Sequence, residues 1–133
     1  MSQLMSHLET TTPCFAVADI ATTMRWYEEQ LGFTPDPFPA NEPYVFAILR
    51  RDDIDIMLQR IENYQKPDIY KLRSAGVWDA YIRMRGVKQF YNELKEKVEI
   101  LQPLRRQPYG HWEFEVKDPN GYVLVFSEFV RAD

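Results

Sequence analysis

The sequence predicts an α+β domain made from two copies of one strand–helix–strands unit. Three observations carry that reading. A strand-like run from Pro13 to Ala18 leads through Asp19 into a helical pattern holding Trp26 and Tyr27, and a second run from Ala80 to Met84 leads through Gly86 into one holding Phe90 and Tyr91. The two aromatic pairs lie 64 residues apart in a chain of 133. Each helical pattern is followed by alternating, hairpin-like segments. A fold duplicated in this way places its pocket between the copies.

The elements follow in order. Residues 1–11 read as a tail or a loosely held first strand. Pro13 suits the first position of a strand. Asp19 is an N-cap for a helix whose Ile20, Met24, Tyr27 and Leu31 fall at helical spacing, and Gly32 ends it in the left-handed conformation. Phe33 to Pro43 holds Pro35, Pro37, Pro39 and Pro43 and reads as a stiff irregular connector. Tyr44–Leu49 and Ile54–Gln59 are strands around the charged turn Arg50-Arg51-Asp52-Asp53, with Ile54, Ile56 and Leu58 on one face. Ile61 to Gly76 is polar, with a short helical turn from Asp68 to Ser74 after Pro67. In the second copy Val77–Arg85 is a strand, Val87–Val98 a helix, and Glu99–Leu104 a short strand. Gln107-Pro108-Tyr109-Gly110 is a turn. Trp112–Lys117 and Tyr122–Glu128 form a hairpin around Asp118-Pro119-Asn120-Gly121, a type I turn with proline second and glycine last. The expected organisation is a single domain over 1–133, with a first module at 12–62, a linker at 63–76 and a second module at 77–130.

At 15.8 kDa, with 45% hydrophobic and 27% charged residues, the chain has the balance of one soluble globular domain with a real core. Its net charge of -4 argues against nucleic acid, whose binders present a basic face. Cys14 is the only cysteine, so no disulfide forms within the chain and no cysteine cluster can hold zinc. No apolar run approaches a membrane span, and the polar N-terminal segment lacks the apolar core of a signal peptide. The expectation is a cytoplasmic protein with no nucleic-acid or membrane partner.

Val17-x-Asp19, the helix with Trp26-Tyr27, and Leu31-Gly32-Phe33 resemble the opening of a vicinal oxygen chelate module. Asp118-Pro119-Asn120-Gly121-Tyr122 with Val123-Leu124-Val125-Phe126 resembles its closing hairpin, and Tyr81–Glu96 is similar to the second module's strand and helix. The resemblance spans Pro13 to Glu128. It implies two βαβββ modules forming a curled mixed sheet around a cavity, with the helices outside. The superfamily includes glyoxalases, extradiol dioxygenases, epimerases, thiol transferases and bleomycin-binding proteins, and fold alone does not choose among them.

Enzymes of the superfamily hold a divalent metal through inward-facing His and Glu. By distance from the motifs, the corresponding positions here are Thr12, Asp55, Asp79 and Val125. A hydroxyl, two carboxylates and a valine, with no imidazole, are a poor set for zinc, iron or nickel. Of the two histidines, His7 lies in the tail and His111 at the mouth of a hairpin. The resemblance therefore points to the metal-free, bleomycin-resistance-like members, with no metal and no cofactor.

The cavity wall follows from strand alternation. The resemblance implies that the face carrying Val125 is the cavity face; if Val116 faces Val123, Phe114 faces Val125 and Trp112 faces Ser127 across the last turn, then Trp112 and Phe114 line the cavity with Val123. Asp79, Tyr81 and Arg83 share inward parity in the second module. Phe46, Asp55 and Met57 do so in the first, with Asp55 and Met57 opposite Ile48 and Phe46. Such a wall suits a hydrophobic or cationic small molecule, with rings for stacking and Asp55 and Asp79 to steer a positive group. The same residues have plainer readings: Trp112 as core, Asp79 and Arg83 as a mutual ion pair, and Cys14 as a buried, inert thiol.

Three functions remain open from sequence. The first is a metal-free binding protein that sequesters a small molecule, as antibiotic-resistance-like members do. The second is a lyase, isomerase or dioxygenase with a shifted metal set drawn from Asp55, Asp79, His111 and Glu113. The third is an interaction domain with a closed interior. A homodimer fits all three, because exposed sheet edges and internal pseudo-symmetry favour pairing.

Overall fold

The computed structural model describes residues 5–73 and 76–130. The first module contains β1 (Cys14–Val17), α1 (Ile20–Leu31), β2 (Thr34–Phe38), β3 (Phe46–Arg51) and β4 (Ile54–Arg60). A short helix, α2 (Tyr70–Arg73), follows. The second module contains β5 (Ala80–Arg83), α3 (Val87–Leu94), β6 (Glu99–Arg106), β7 (His111–Lys117) and β8 (Val123–Phe129). The strand orders are β1-β4-β3-β2 and β5-β8-β7-β6. In each sheet the module's first strand runs parallel to its last, and the other neighbours are antiparallel. The architecture is thus two βαβββ modules, each a four-stranded open sheet with one helix on one face.

Local chemistry sets the boundaries. Asp19 is extended, and its Oδ1 accepts from the Thr22 amide at 3.0 Å, starting α1 where the sequence places it. Gly32, at φ 75°, closes the helix, with its own amide on the Glu28 carbonyl and the Phe33 amide on that of Tyr27.

The stretch read as an irregular connector contains β2. This edge strand tolerates Pro35 and Pro37 because the two share one parity, opposite Leu49 and Ala47, so both missing amides fall on one side. The third strand runs through Arg51 rather than stopping at Leu49, α2 begins at Tyr70 rather than Asp68, and Ser74 lies outside the described residues.

The modules share one core through reciprocal helix–turn contacts. On one side Tyr27 of α1 donates to Asp118 Oδ2 in the β7–β8 turn at 2.7 Å, and Asn120 Nδ2 donates to Thr23 Oγ1 at 2.9 Å. Phe15 stacks on Tyr122 with centroids 4.1 Å apart. On the other side the Arg51 guanidinium, from the β3–β4 turn, lies 5.0 Å over the Phe90 ring of α3. The duplication seen in sequence is therefore a pseudo-twofold arrangement. Each helix is covered by the other module's hairpin turn, and each sheet's second face is left open.

Candidate functional site

The register of the last hairpin decides which side chains reach the open face of the second sheet. Glu113 pairs with Ser127, Phe114 with Phe126, Glu115 with Val125 and Val116 with Leu124. This is one residue away from the pairing expected from sequence. The turn itself is as predicted, with the Gly121 amide on the Asp118 carbonyl at 3.1 Å. Gly121 then adopts φ 95° and adds a third loop residue, so the strands resume at Asp118 and Tyr122, whose backbone bond is 2.9 Å. A slip of one residue exchanges the two faces of a strand.

Trp112 and Phe114 are therefore not on the open face. Phe114 is fully buried against Phe90, Tyr91 and Phe126, with centroids 6.1, 5.1 and 5.3 Å away. Trp112 lies on the same helix-facing side, with the α3 residue Lys88 placing its Nζ 4.4 Å over the indole.

The residues that take their place are acidic and hydroxylic. Glu113 is 2% exposed and Glu115 4% exposed. Tyr81 donates to Glu113 Oε2, Tyr109 donates to Oε1 at 2.6 Å, and Ser127 donates to Oε2 at 3.2 Å. Ser127 Oγ also lies 2.8 Å from the Tyr81 hydroxyl and 2.9 Å from His111 Nδ1. Glu115 accepts from Tyr70 and from Trp78 Nε1, each at 3.1 Å. The two carboxylates, i and i+2 on one strand, stand about 7 Å apart along it. Each is held by two aromatic donors, and all of those donors are uncharged. Among the described residues neither carboxylate has a Lys or Arg nitrogen within 4.0 Å.

The other residues singled out from sequence divide between the modules. Tyr81 belongs to the cluster, and Arg83 pairs in register with Ser127 on the same face. Asp79 is committed elsewhere: its Oδ2 accepts the Val123 amide at 2.8 Å and lies 3.4 Å from Lys66 Nζ, whose side chain is 9% exposed. Its partner is the linker lysine, not Arg83. Phe46, Asp55 and Met57 lie on the open face of the first sheet, where Met57 pairs with Ile48, Phe46 with Gln59, and Asp55 with Arg50. Their face is the one expected, with the pairing shifted by two residues. Cys14 lies beside Met57 and is exposed rather than buried, although partial burial still pushes its thiol pKa up.

The positions at which relatives would bind a metal do not fit one here. Asp79 is held by Lys66, Asp55 lies 3.7 Å from Arg50 Nε, and Val125 offers no donor. Among the described residues, no three His, Cys, Asp or Glu side chains are placed to share an ion. No described helix is long and apolar enough to cross a membrane.

Burial raises the pKa of several tyrosines. It is the leading cause for Tyr27, Tyr70, Tyr81 and Tyr109, and it pushes Tyr122 up to about 12. A hydroxyl that ionises less readily when folded contributes stability that is complete below the ordinary tyrosine value of 10.0 and is lost as pH rises beyond it. The protein is expected to unfold cooperatively between pH 10 and about 12, with tyrosinate absorbance and loss of circular dichroism appearing together. Tyrosines that titrated near their ordinary value with the fold intact would contradict this.

The chain belongs to the glyoxalase/bleomycin resistance protein/dioxygenase superfamily, whose model matches residues 5–126. Among solved structures it is similar to TioX from Micromonospora sp. ML1, with TM-score 0.72 and 20% identity, covering 92% of this chain and 99% of that one. It is also similar to a glyoxalase-related enzyme from Clostridium phytofermentans, with TM-score 0.74 and 16% identity, covering 96% and 100%. A third similar structure is the bleomycin-binding protein of bleomycin-producing Streptomyces verticillus, solved with copper(II)-bleomycin, at TM-score 0.67 and 22% identity, covering 92% and 97%. At these identities the likeness establishes the fold. No curated protein sequence matches the chain.

Proposed function

We propose that the protein binds a small cationic molecule on the open face of its second sheet and leaves it chemically unchanged. The observation that carries this reading is the pair of carboxylates Glu113 and Glu115: buried, held in place by Tyr81, Tyr109, Tyr70 and Trp78, and with no Lys or Arg nitrogen within 4.0 Å among the described residues, although Arg105 lies opposite Glu113 on the neighbouring strand. A buried charge without an opposite charge is costly, and an incoming cation relieves that cost. Trp78, Tyr81 and Tyr109 are exposed, and their rings add a further contribution for a flat or quaternary cation that stacks on them. The bleomycin-binding relative supports a binding role for this architecture.

A second copy of the chain is the natural cover for the site. The open face of the first sheet is apolar at Phe46, Ile48 and Met57, and Phe38 at its edge is 68% exposed. An apolar face of this kind is suited to pairing. Sedimentation at micromolar concentration should give twice the 15.8 kDa chain mass, and a species of one chain mass would refute the dimer.

Ethidium, a flat aromatic cation, tests the site, with bleomycin titrated in parallel. Either ligand is expected to quench the emission of Trp78. Glu113→Gln together with Glu115→Gln should weaken binding by about 10–100-fold, the range for losing charge-assisted contacts. Binding that ignores both substitutions would sink the reading.

A further inference from the structure

The pseudo-twofold arrangement creates two equivalent hollows where the modules meet, and the chain treats them differently. Beside β1, a hollow of ≈ 340 Å³ is bounded by Ala16 and Val17 and by Pro119 and Asn120 of the β7–β8 turn. The linker residues Tyr64, Gln65 and Lys66 run along it. Lys66 lies there with its Nζ 5.4 Å over the Tyr122 ring and 3.4 Å from Asp79. On this side the chain supplies its own occupant, a cation set on an acid.

Beside β5 the corresponding boundary is Ile82 and Arg83 with Asp52 and Asp53 of the β3–β4 turn, and the hollow there is a cleft of ≈ 760 Å³. No linker residue lines it. Its floor is apolar: Phe33, Ile54, Ile82, Phe90 and Phe126 all contribute. Arg51, Arg83 and Arg85 also line it, Arg83 from the border where β5 turns its other face to Ser127. Arg51 is already engaged, with Nε 3.4 Å from Asp52 and NH1 donating to the Leu31 carbonyl at 2.7 Å. Arg83 and Arg85 form no ion pair among the described residues, and Asp53 is the one remaining carboxylate in the lining.

We propose that this cleft is a second binding site, for a small anion with an apolar body, such as an aromatic carboxylate or sulfonate. The rings and branched side chains of the floor take the body, and the two free guanidinium groups take the charge in the forked geometry that suits such oxyanions. The site borders the cation-binding face at Arg83, which pairs in register with Ser127. It shares none of the four carboxylate-holding donors Tyr70, Trp78, Tyr81 and Tyr109, and its charge preference is the opposite.

Anilinonaphthalenesulfonate, an aromatic sulfonate whose fluorescence rises on binding, tests the proposal on the full chain. The expected result is one saturable site per chain. Arg83→Ala with Arg85→Ala should weaken it by about tenfold or more, the scale of a lost charge-assisted pair. The uncharged N-phenylnaphthylamine should also bind more weakly than the sulfonate. Ile54→Glu, which puts a carboxylate into the floor, should abolish sulfonate binding, whereas Glu113→Gln with Glu115→Gln should leave it unchanged. Thermal midpoints confirm that each variant is folded, and Arg83 and Arg85 are exposed enough to be replaced without loss of the core. The proposal is overturned if the arginine variant binds the sulfonate as the wild type does, or if the uncharged probe binds equally well. Loss of binding on Phe46→Ser would also overturn it, by placing the probe on the first sheet's open face. Failure of ethidium to bind would leave this result untouched, so the two readings stand or fall separately.

Discussion

Phe114→Ala is expected to destabilise the protein by about 3–5 kcal/mol and to leave the affinity for a cationic ligand unchanged while the protein is folded. Phe114 is completely buried, and its ring touches aromatic neighbours from both α3 and β8. Removing it leaves a cavity in close-packed surroundings that collapse only in part. Urea denaturation with an unchanged slope would isolate the stability loss. The pairing expected from sequence makes the opposite forecast. With Phe114 on the open face, its loss would cost little stability and would remove a stacking surface for the ligand. Stability and affinity measured on this one variant therefore separate the two registers. A variant of wild-type stability with impaired ethidium binding would refute the face assignment.

The gap between sequence and structure at that hairpin has a specific cause. Proline second and glycine fourth fix a type I turn, and that turn is present. Whether the strands resume at Gly121 or at Tyr122 depends on the φ of a single glycine, for which composition gives no preference. The same device recurs at Gly110, with φ 94° and the Gln107 amide on the His111 carbonyl at 2.7 Å. Features set by strong local rules were legible: the Asp19 cap, the Gly32 stop, the duplicated aromatic pairs and the order of the modules. The faces of β3 and β4 were legible too, because Ile54, Ile56 and Leu58 alternate cleanly and the Asp52-Asp53 loop has an even count.

The candidate site was legible at Tyr81 and Arg83, and at His111 and Glu113 only as possible metal ligands. From sequence Glu113 reads only as a member of a shifted metal set and Glu115 is not singled out, and both are buried by residues far away in sequence. Tyr70 lies 45 residues from Glu115, and Tyr81 lies 32 from Glu113. The Trp–Glu–Phe–Glu–Val run holds both sets of side chains, and alternation separates them without saying which set faces the helix. Asp79 was misjudged for a similar reason. Its partner, Lys66, comes from a polar linker with no periodic signal, so nothing local announces that this carboxylate is already engaged.

Asp118→Ala is expected to cost about 4 kcal/mol or more, because a single carboxylate there fastens both the turn and the junction between modules. Asp118 is 4% exposed and accepts from the Tyr27 hydroxyl at 2.7 Å, the Asn120 amide at 2.8 Å and the Tyr122 amide at 2.9 Å. Tyr27 is fully buried, so truncating Asp118 strands its hydroxyl away from water along with two turn amides. Asp118→Asn keeps an oxygen for the amides and a side chain for Tyr27 to meet, and its cost should be nearer 1 kcal/mol. The difference between wild type and Asp118→Asn should also depend on pH in a defined direction. Burial is the leading influence on Asp118 and raises its pKa, so the folded state holds this proton more tightly than the unfolded state does. The group therefore adds stability as pH falls into the carboxylate range and loses that contribution as pH rises through its folded pKa. The asparagine variant has no such term, so the wild type's advantage should widen on acidification. An advantage that narrowed instead would mean that the hydrogen bonds to Asp118 outweigh its burial, and the junction would then be held by a charge the protein favours rather than one it tolerates.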